Sequence, residues 1–330
     1  MASLVQNEVD LPVIDMSQLP LNFDAQQGIH QLENHPMVAK LRDACKELGF
    51  FYVVNHGILE SVQQNVESVV RELCALPLEV KEKVANPALM ESYTRNAYAE
   101  NFSFLNVPQA NSVQQLTDII WPNQGNPKFS ETVRAYTLVL TDLASKLIKM
   151  TTASLGLDVE AVYNSDFEGF SSNLRINHYF NEAGGKSKEE EEMLFPHTDI
   201  GFFSILYQDN EGGLQIHSKQ GEWLNIKPLP NSFVVNVGDT LKVWSNSRYN
   251  SGEHRVVYKG WKKNRLSLPF FVQFPEDKPI WAHDQLVDNE HPRRYRSVTF
   301  SQVKQEYFKH VQSKFKKPSE FMDMYAGVQV

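Results

Sequence analysis

His197-Thr198-Asp199, with His254 following 55 residues after Asp199, brings together residue types that hold a redox metal. Two imidazoles and one carboxylate occupy one triangular face of an octahedral ion and leave the opposite face open. That arrangement suits Fe(II) chemistry in which a co-substrate and O2 bind one centre. In an extended chain residues i and i+2 project to the same side. The spacing therefore predicts His197 and Asp199 toward one metal, with Thr198 facing away. His254 is then supplied by a distant strand of the same sheet or barrel.

A His-x-Asp tripeptide alone also describes many ordinary hydrogen-bonded pairs. The second feature is Arg265-Leu266-Ser267, 11 residues after His254. Positions i and i+2 again share a face and present a guanidinium and a hydroxyl together. Arg grips a carboxylate bidentately, and Ser adds one more hydrogen bond. A metal triad followed by a carboxylate clamp implies a chelating co-substrate with a second carboxylate at its far end, a description that 2-oxoglutarate fits. The chain has no second His-x-Asp and no second Arg-x-Ser.

These residues need a frame, and the hydropathy pattern changes in character along the chain. Val38 to Leu48 has apolar residues at helical spacing and ends at Gly49, and a second helix is expected from Leu59 to about Leu76, closed by Pro77. Phe129 to Leu155 is the longest helical stretch, stopped by Gly156, and such a helix commonly backs a sheet. Residues 50–54 (FFYVV) read as a buried strand ending in the turn Asn55-His56-Gly57. After Asn173 short β-rich segments follow at 174–180, 202–207, 213–216, 223–226, 233–237, 241–244, 254–258 and 266–274. The predicted fold is mainly β with a helical N-terminal part, a double-stranded β-helix (jelly roll) backed by long helices. The expected divisions are 1–165 (helical), 166–300 (the catalytic jelly roll) and 301–330 (a C-terminal helix, about 299–315, and lid).

Composition agrees with a soluble enzyme. A chain of 330 residues buries a sizeable core, and a net charge of −8 with a pI of about 5.7 gives no attraction for nucleic acid or an anionic membrane. No apolar run is long enough for a bilayer, and the first residues lack a secretion signal, so the cytoplasm is the expected location. Cys45 and Cys74 are too few for a disulfide framework and read as small buried hydrophobes. Among the ten histidines, His56, His178, His217, His283, His291 and His310 carry structural or exposed readings, since the triad is complete without them. The run Lys186 to Glu192 (KSKEEEE) reads as a solvated loop.

At this point the chain resembles the plant 2-oxoglutarate- and Fe(II)-dependent dioxygenases over almost its whole length. Leu11-Pro12-Val13-Ile14-Asp15 resembles the family's opening strand, and Gly49 to Gly57 (GFFYVVNHG) resembles its N-terminal signature. Asn177-His178-Tyr179, His197-Thr198-Asp199, Gly212-Gly213-Leu214, His254-Arg255-Val256 and Arg265-Leu266-Ser267 then follow in the family's order. The resemblance implies Fe(II) on His197, Asp199 and His254, with 2-oxoglutarate and O2 as co-substrates and ascorbate as reductant. It implies Arg265 and Ser267 on the 5-carboxylate, Tyr179 donating a further hydrogen bond, and Asn177 close to the co-substrate.

For the substrate the resemblance points to Phe271, which shares the strand face of Ser267, to residues 92–105, and to the C-terminal tail with Met322 and Tyr325. Tyr93, Tyr98, Phe102, Phe104 and Phe271 suggest an apolar, ring-containing molecule of plant hormone or specialised metabolism. The 49–57 segment and Trp244 to Tyr249 look more like hormone and alkaloid oxidases than prolyl or nucleic-acid hydroxylases. The expected protein is a monomer with a small-molecule substrate and neither a nucleic acid nor a membrane as partner. Two alternatives stay open: an ascorbate-dependent, ethylene-forming-type oxidase, and a non-catalytic jelly roll that binds a small molecule.

Overall fold

Apolar residues spaced by three and four fold the first half into three long helices, two of them started by a side-chain cap. Helix α1 (Pro36–Glu47) begins where the His35 Nδ1 accepts the Met37 amide, and α2 (Glu60–Cys74) follows. Helix α3 (Pro127–Ser154) begins where the Asn126 side-chain oxygen accepts the Phe129 amide, with Pro127 as its first residue. The computed structural model describes residues 7–20, 32, 34–85, 92–109, 111–180, 191–312 and 320–328. Residues 186–190 of the KSKEEEE run and the first six residues lie outside them. Gly49 ends α1 at φ +73°, and a Cβ there would stand 1.9 Å from the Asn250 carbonyl oxygen, so the turn into the next strand requires glycine.

The strands are β1 (Val13–Asp15), β2 (Phe50–Val54), β3 (Tyr93–Arg95), β4 (Ala99–Phe104), β5 (Ser171–Tyr179) and β6 (Glu192–His197). They continue with β7 (Phe203–Gln208), β8 (Leu214–His217), β9 (Trp223–Asn225), β10 (Phe233–Val237), β11 (His254–Val257) and β12 (Arg265–Gln273). Eight form one sheet in the order β1-β2-β10-β7-β12-β5-β4-β3, and four form a second in the order β6-β11-β8-β9. The two sheets face each other as the jelly roll expected from the run of short strands.

Strand alternation gives the large sheet two different faces. Leu266, Leu268 and Phe270 of β12, with Leu174, Ile176, Phe203 and Ile205, are all 0% exposed and join the cluster formed with α1, α2 and α3. Each such side chain contributes roughly 1.5–3 kcal/mol relative to exposure. The alternate residues look toward the small sheet. Register sets Arg265 opposite Tyr179, Ser267 opposite Asn177 and Gln208, and Phe271 opposite Asn173 and Ser204. That second face is where the chemistry lies.

Several expectations change. Residues 241–244 (LKVW) belong to a helix, α4 (Asp239–Trp244), and not to a strand. Leu241, Val243 and Trp244 are each completely buried beside a partly exposed Lys242, and four residues are too few to separate a helical period from strand alternation. Residues 92–105 form the β3–β4 hairpin that extends the large sheet at β5. Residues assigned to a helical N-terminal region thus supply β1 to β4, half of the large sheet, so the sheet crosses the expected 165/166 division. The C-terminal helices are α5 (Phe300–Gln312) and α6 (Phe321–Ala326).

Candidate active site

The small sheet brings the two histidines together. His197 is the last residue of β6 and His254 the first of β11, and the two are direct partners in the antiparallel register. Their ring centroids are 4.3 Å apart. Asp199 follows two residues after His197, with its carboxylate 3.7 Å from His197 Nε2 and 3.9 Å from His254 Nε2. Thr198 turns away and donates to the Asp239 carboxylate at 3.0 Å, as the i, i+2 spacing requires.

The donor set fits a metal in detail. His197 Nδ1 lies 2.9 Å from the Phe195 carbonyl oxygen and His254 Nδ1 lies 3.1 Å from that of Gly252. Carbonyls only accept, so each Nδ1 carries the proton and each Nε2 keeps a lone pair toward the shared space. Asp199 Oδ2 accepts from Ser204 Oγ at 2.5 Å and Asn236 Nδ2 at 2.8 Å, which fixes the carboxylate and leaves Oδ1 free to ligate. Burial, joined by the repulsion of His254, lowers the His197 pKa to about 4, so the ring is neutral at physiological pH. Burial works to raise the Asp199 pKa, but His254, His197 and the two hydrogen bonds outweigh it and keep the group ionised.

One other described cluster has ligand atoms close enough for an ion, Cys74, Glu100 and His178. Its carboxylate is already committed to Lys81 Nζ at 2.7 Å, His178 at 2.9 Å and the Tyr93 hydroxyl at 2.9 Å. Burial pushes the Cys74 thiol well above its usual range, so the cluster is an ion-pair network. His178 faces the helices, opposite to Asn177 and Tyr179, as alternation predicts. His217, His283 and His291 pair with Glu253, Asp166 and Asp288, and the side chain of His310 lies outside the described residues.

The clamp residues gather on the site-facing side of the large sheet. Arg265 is completely buried, donating from Nε to the Gly212 carbonyl at 2.7 Å, from one terminal nitrogen to Ser267 Oγ at 3.1 Å and from the other to Gln208 Oε1 at 3.1 Å. Its guanidinium lies 5.1 Å from the Tyr179 ring centroid. Every partner is neutral, and among the described residues no carboxylate pairs with this charge. A fully buried cation with neutral partners requires an anion from outside the chain. Asn177 sits beside Ser267 in register.

The residues expected at the substrate separate. Phe271 shares the site face with Ser267, opposite Ser204, whose hydroxyl holds Asp199. Tyr98, in the β3–β4 turn, packs with the group that includes Tyr179 and Trp261. Phe102 and Phe104 do not line the site. Both are 0% exposed on the helix side of β4, where Phe102 meets Tyr93 and Phe104 meets Phe129 of α3. Their neighbours Asn101 and Ser103 take the site face, in register with Asn177 and Arg175. Tyr325 stacks on Phe321 and on Arg296, while Met322 is buried. Tyr307 of α5 packs against Phe321 and the main core, with its pKa pushed up to about 12 by burial and then by Asp199 and Asp239. Trp244 to Tyr249 is structural: Trp244 donates to Asp166, and Asn246 Nδ2 serves the carbonyls of Leu286, His291 and Pro292.

A jelly roll that carries two imidazoles and a carboxylate beside an unpaired buried guanidinium is the frame of a mononuclear non-haem iron enzyme. Residues 170–274 match the family model of the 2OG-Fe(II) oxygenase superfamily, and residues 11–119 match that of the non-haem dioxygenase in morphine synthesis N-terminal region. The oxoglutarate-dependent flavonoid 7-O-demethylase 1 of Ocimum basilicum is 31% identical over 322 residues, covering 95% of this chain and 81% of that protein. The crystal structure of the rice dioxygenase for auxin oxidation superposes with a TM-score of 0.78 at 28% identity, covering 97% of this chain and 100% of that one. That of JOX2 in complex with 2OG, Fe and JA gives 0.73 at 27% identity, covering 91% and 85%. The chain belongs to the 2OG-Fe(II) oxygenase superfamily and is a 2-oxoglutarate- and Fe(II)-dependent oxygenase. Among the described residues no helix is long and apolar enough to cross a membrane.

Proposed function

We propose that His197, Asp199 and His254 hold one Fe(II), and that Arg265, Ser267 and Tyr179, with Asn177 beside them, hold the far carboxylate of 2-oxoglutarate. Iron bound there, with O2, supplies the oxidising chemistry that converts 2-oxoglutarate to succinate and CO2 while a substrate C–H bond is oxidised. The chain's own residues do the rest. Phe195 and Gly252 set both imidazoles with Nε2 inward, and Ser204 and Asn236 hold Asp199 so that one oxygen faces the ion. Phe271 and Tyr98 border the space left for the substrate, with Tyr325 supporting the C-terminal layer. Apolar walls exclude water and fix which C–H bond faces the metal.

The substrate in this reading is an apolar, ring-containing small molecule of plant hormone or specialised metabolism. The relatives named for flavonoid demethylation and auxin oxidation support that class. The enzyme acts as a monomer in the cytoplasm, with ascorbate as reductant and no nucleic-acid partner. One observation carries the assignment: three donors with lone pairs aimed at one space share the interior with a buried guanidinium that lacks an anion. The test is O2 uptake and succinate release by purified protein with Fe(II), 2-oxoglutarate and a plant metabolite extract. One succinate per O2 supports the proposal. Turnover that needs ascorbate and releases no succinate would favour the ethylene-forming type of oxidase, and no O2 uptake would favour a binding protein.

A further inference from the structure

The first residues of β12 lie beyond the end of their ladder with β7. That ladder closes at the pair Ser267 and Gln208, so Arg265 and Leu266 stand outside it, although β5 continues beside them to Tyr179. Asp209, the next residue after β7, takes over both backbone groups of Leu266. Its amide donates to the Leu266 carbonyl at 3.0 Å, and its Oδ2 accepts the Leu266 amide at 2.9 Å. Leu266 separates the two clamp residues, and its own side chain is buried in the main core. Whatever holds its peptide groups therefore sets the direction in which Arg265 and Ser267 project.

Asp209 is itself held from α2. Arg71 donates to Asp209 Oδ2 at 2.8 Å and to the Asn264 carbonyl at 3.4 Å, so one guanidinium spans the entry to β12. Its Nε pairs with Glu67 Oε1 at 2.7 Å, one turn earlier on the helix, and Glu67 accepts the Tyr207 hydroxyl. Glu67 and Arg71 thus grip residues 207, 209 and 264 together. Asp209 is buried, whereas Arg71 and Glu67 are partly exposed. An exposed ion pair exchanges its partner for water at little cost, but a buried carboxylate does not.

We propose that Arg71 and Asp209 are positioning residues for the co-substrate. Acting through the backbone of Leu266, they fix the Arg265 fork and the Ser267 hydroxyl, and so set the affinity for 2-oxoglutarate without touching it. Gln208 holds a terminal nitrogen of Arg265, and Asp209 holds the peptide that follows, so the end of β7 supports the clamp twice. By this route α2 contributes to co-substrate binding although it supplies no ligand. This inference rests on the assignment of Arg265, Ser267 and 2-oxoglutarate made above.

The test uses the full chain, with Fe(II) affinity read by competition with a chelator and 2-oxoglutarate affinity read calorimetrically in the absence of O2. Asp209→Ala removes the acceptor of the Leu266 amide and strands no buried charge, so it decides the matter even where Arg71→Met does not fold. It is expected to weaken 2-oxoglutarate about fivefold or more, because a small misplacement of a binding group is enough to lose its contact. Arg71→Met weakens it to a similar degree, and Arg71→Lys recovers part of the loss. Fe(II) affinity stays within about twofold in every variant, and on the Asp209→Ala background Arg71→Met adds less than about twofold, since both act along one path. A general loss of fold would lower both affinities. The proposal is overturned if Asp209→Ala leaves 2-oxoglutarate affinity within about twofold of the wild type, if Fe(II) and 2-oxoglutarate affinities fall together, or if the two substitutions add in full. Failure of the wild type to bind 2-oxoglutarate at all would count against the earlier assignment and not against Arg71.

Discussion

Arg265→Lys keeps the charge of the clamp and removes its fork. In the native chain the guanidinium is fully buried and spends its donors on the Gly212 carbonyl, Ser267 Oγ and Gln208 Oε1, which hold it rigid with one edge left for a carboxylate. A lysine ammonium is shorter and cannot present two parallel N–H groups. Breaking a buried charged pair on one side costs roughly 2–5 kcal/mol, equivalent to about thirtyfold to several thousandfold in affinity. The low end applies if the ammonium still reaches one carboxylate oxygen, and the high end if it folds back to Gly212. Loss of the Gln208 and Gly212 contacts also leaves acceptors unsatisfied, at about 1–3 kcal/mol of stability, so melting is followed in parallel. Calorimetric Kd for 2-oxoglutarate with Fe(II) under anaerobic conditions reads the first effect directly, and KM for 2-oxoglutarate against KM for substrate reads it in turnover. The variant is expected to weaken 2-oxoglutarate at least thirtyfold while substrate KM moves little. A folded Arg265→Lys protein with 2-oxoglutarate affinity within threefold of native would refute the clamp.

Three further outcomes follow from the same geometry. Asn236→Ala removes one of the two donors that orient Asp199, so Fe(II) affinity measured by competition with a chelator should fall by about tenfold to a hundredfold; unchanged affinity would mean that Ser204 alone positions the carboxylate. Phe271→Ala opens the wall beside Ser204, and the expected signature is less product per succinate with an altered site of oxidation, whereas full coupling would place Phe271 in a purely structural role. Burial raises the Asp239 pKa from 3.8 to about 7, so its contribution to stability is complete below about pH 4 and is lost as pH rises through about 7. Asp239→Asn lacks that loss, so the stability of the metal-free variant relative to native should climb between pH 4 and pH 7 and level off above; a difference independent of pH would show that Asp239 is ionised in the fold.

The candidate metal ligands were legible because their spacing is a statement about strands. His197 and Asp199 at i and i+2, and Arg265 and Ser267 likewise, project together wherever the chain is extended, and the run of short β segments supplied the extended chain. The pairing of His197 with His254 is not written locally, since it depends on the register between β6 and β11. Phe102 and Phe104 were placed by aromatic character, yet parity on β4 decides their direction: once Asn101 opposes Asn177, residues 102 and 104 must face the helices. The same parity was available for Arg175, which alternates with Asn177 and Tyr179 and so had to share their face. Ser204 and Asn236 carry no motif, because their role arises only when β7 and β10 pair beside Asp199. Tyr307 feels the charge of Asp199 only once α5 docks, a long-range packing event that helical periodicity does not specify. Residues 241–244 read as a strand because four residues, with Lys242 the one polar side chain among them, are too short to separate a helical period from alternation.

The central claim is that Fe(II) on His197, Asp199 and His254 is what receives 2-oxoglutarate. Anaerobic titration of the purified protein with Fe(II) and then 2-oxoglutarate, followed by visible absorption, tests it most directly, because a keto acid chelated to ferrous iron is coloured while either component alone is not. One Fe(II) is expected to bind per chain, with an absorption that appears only when both are present and is absent from a His254→Ala protein that melts as the native chain does. A native protein that binds 2-oxoglutarate equally with and without Fe(II), or a His254→Ala protein that develops the full absorption, would contradict it.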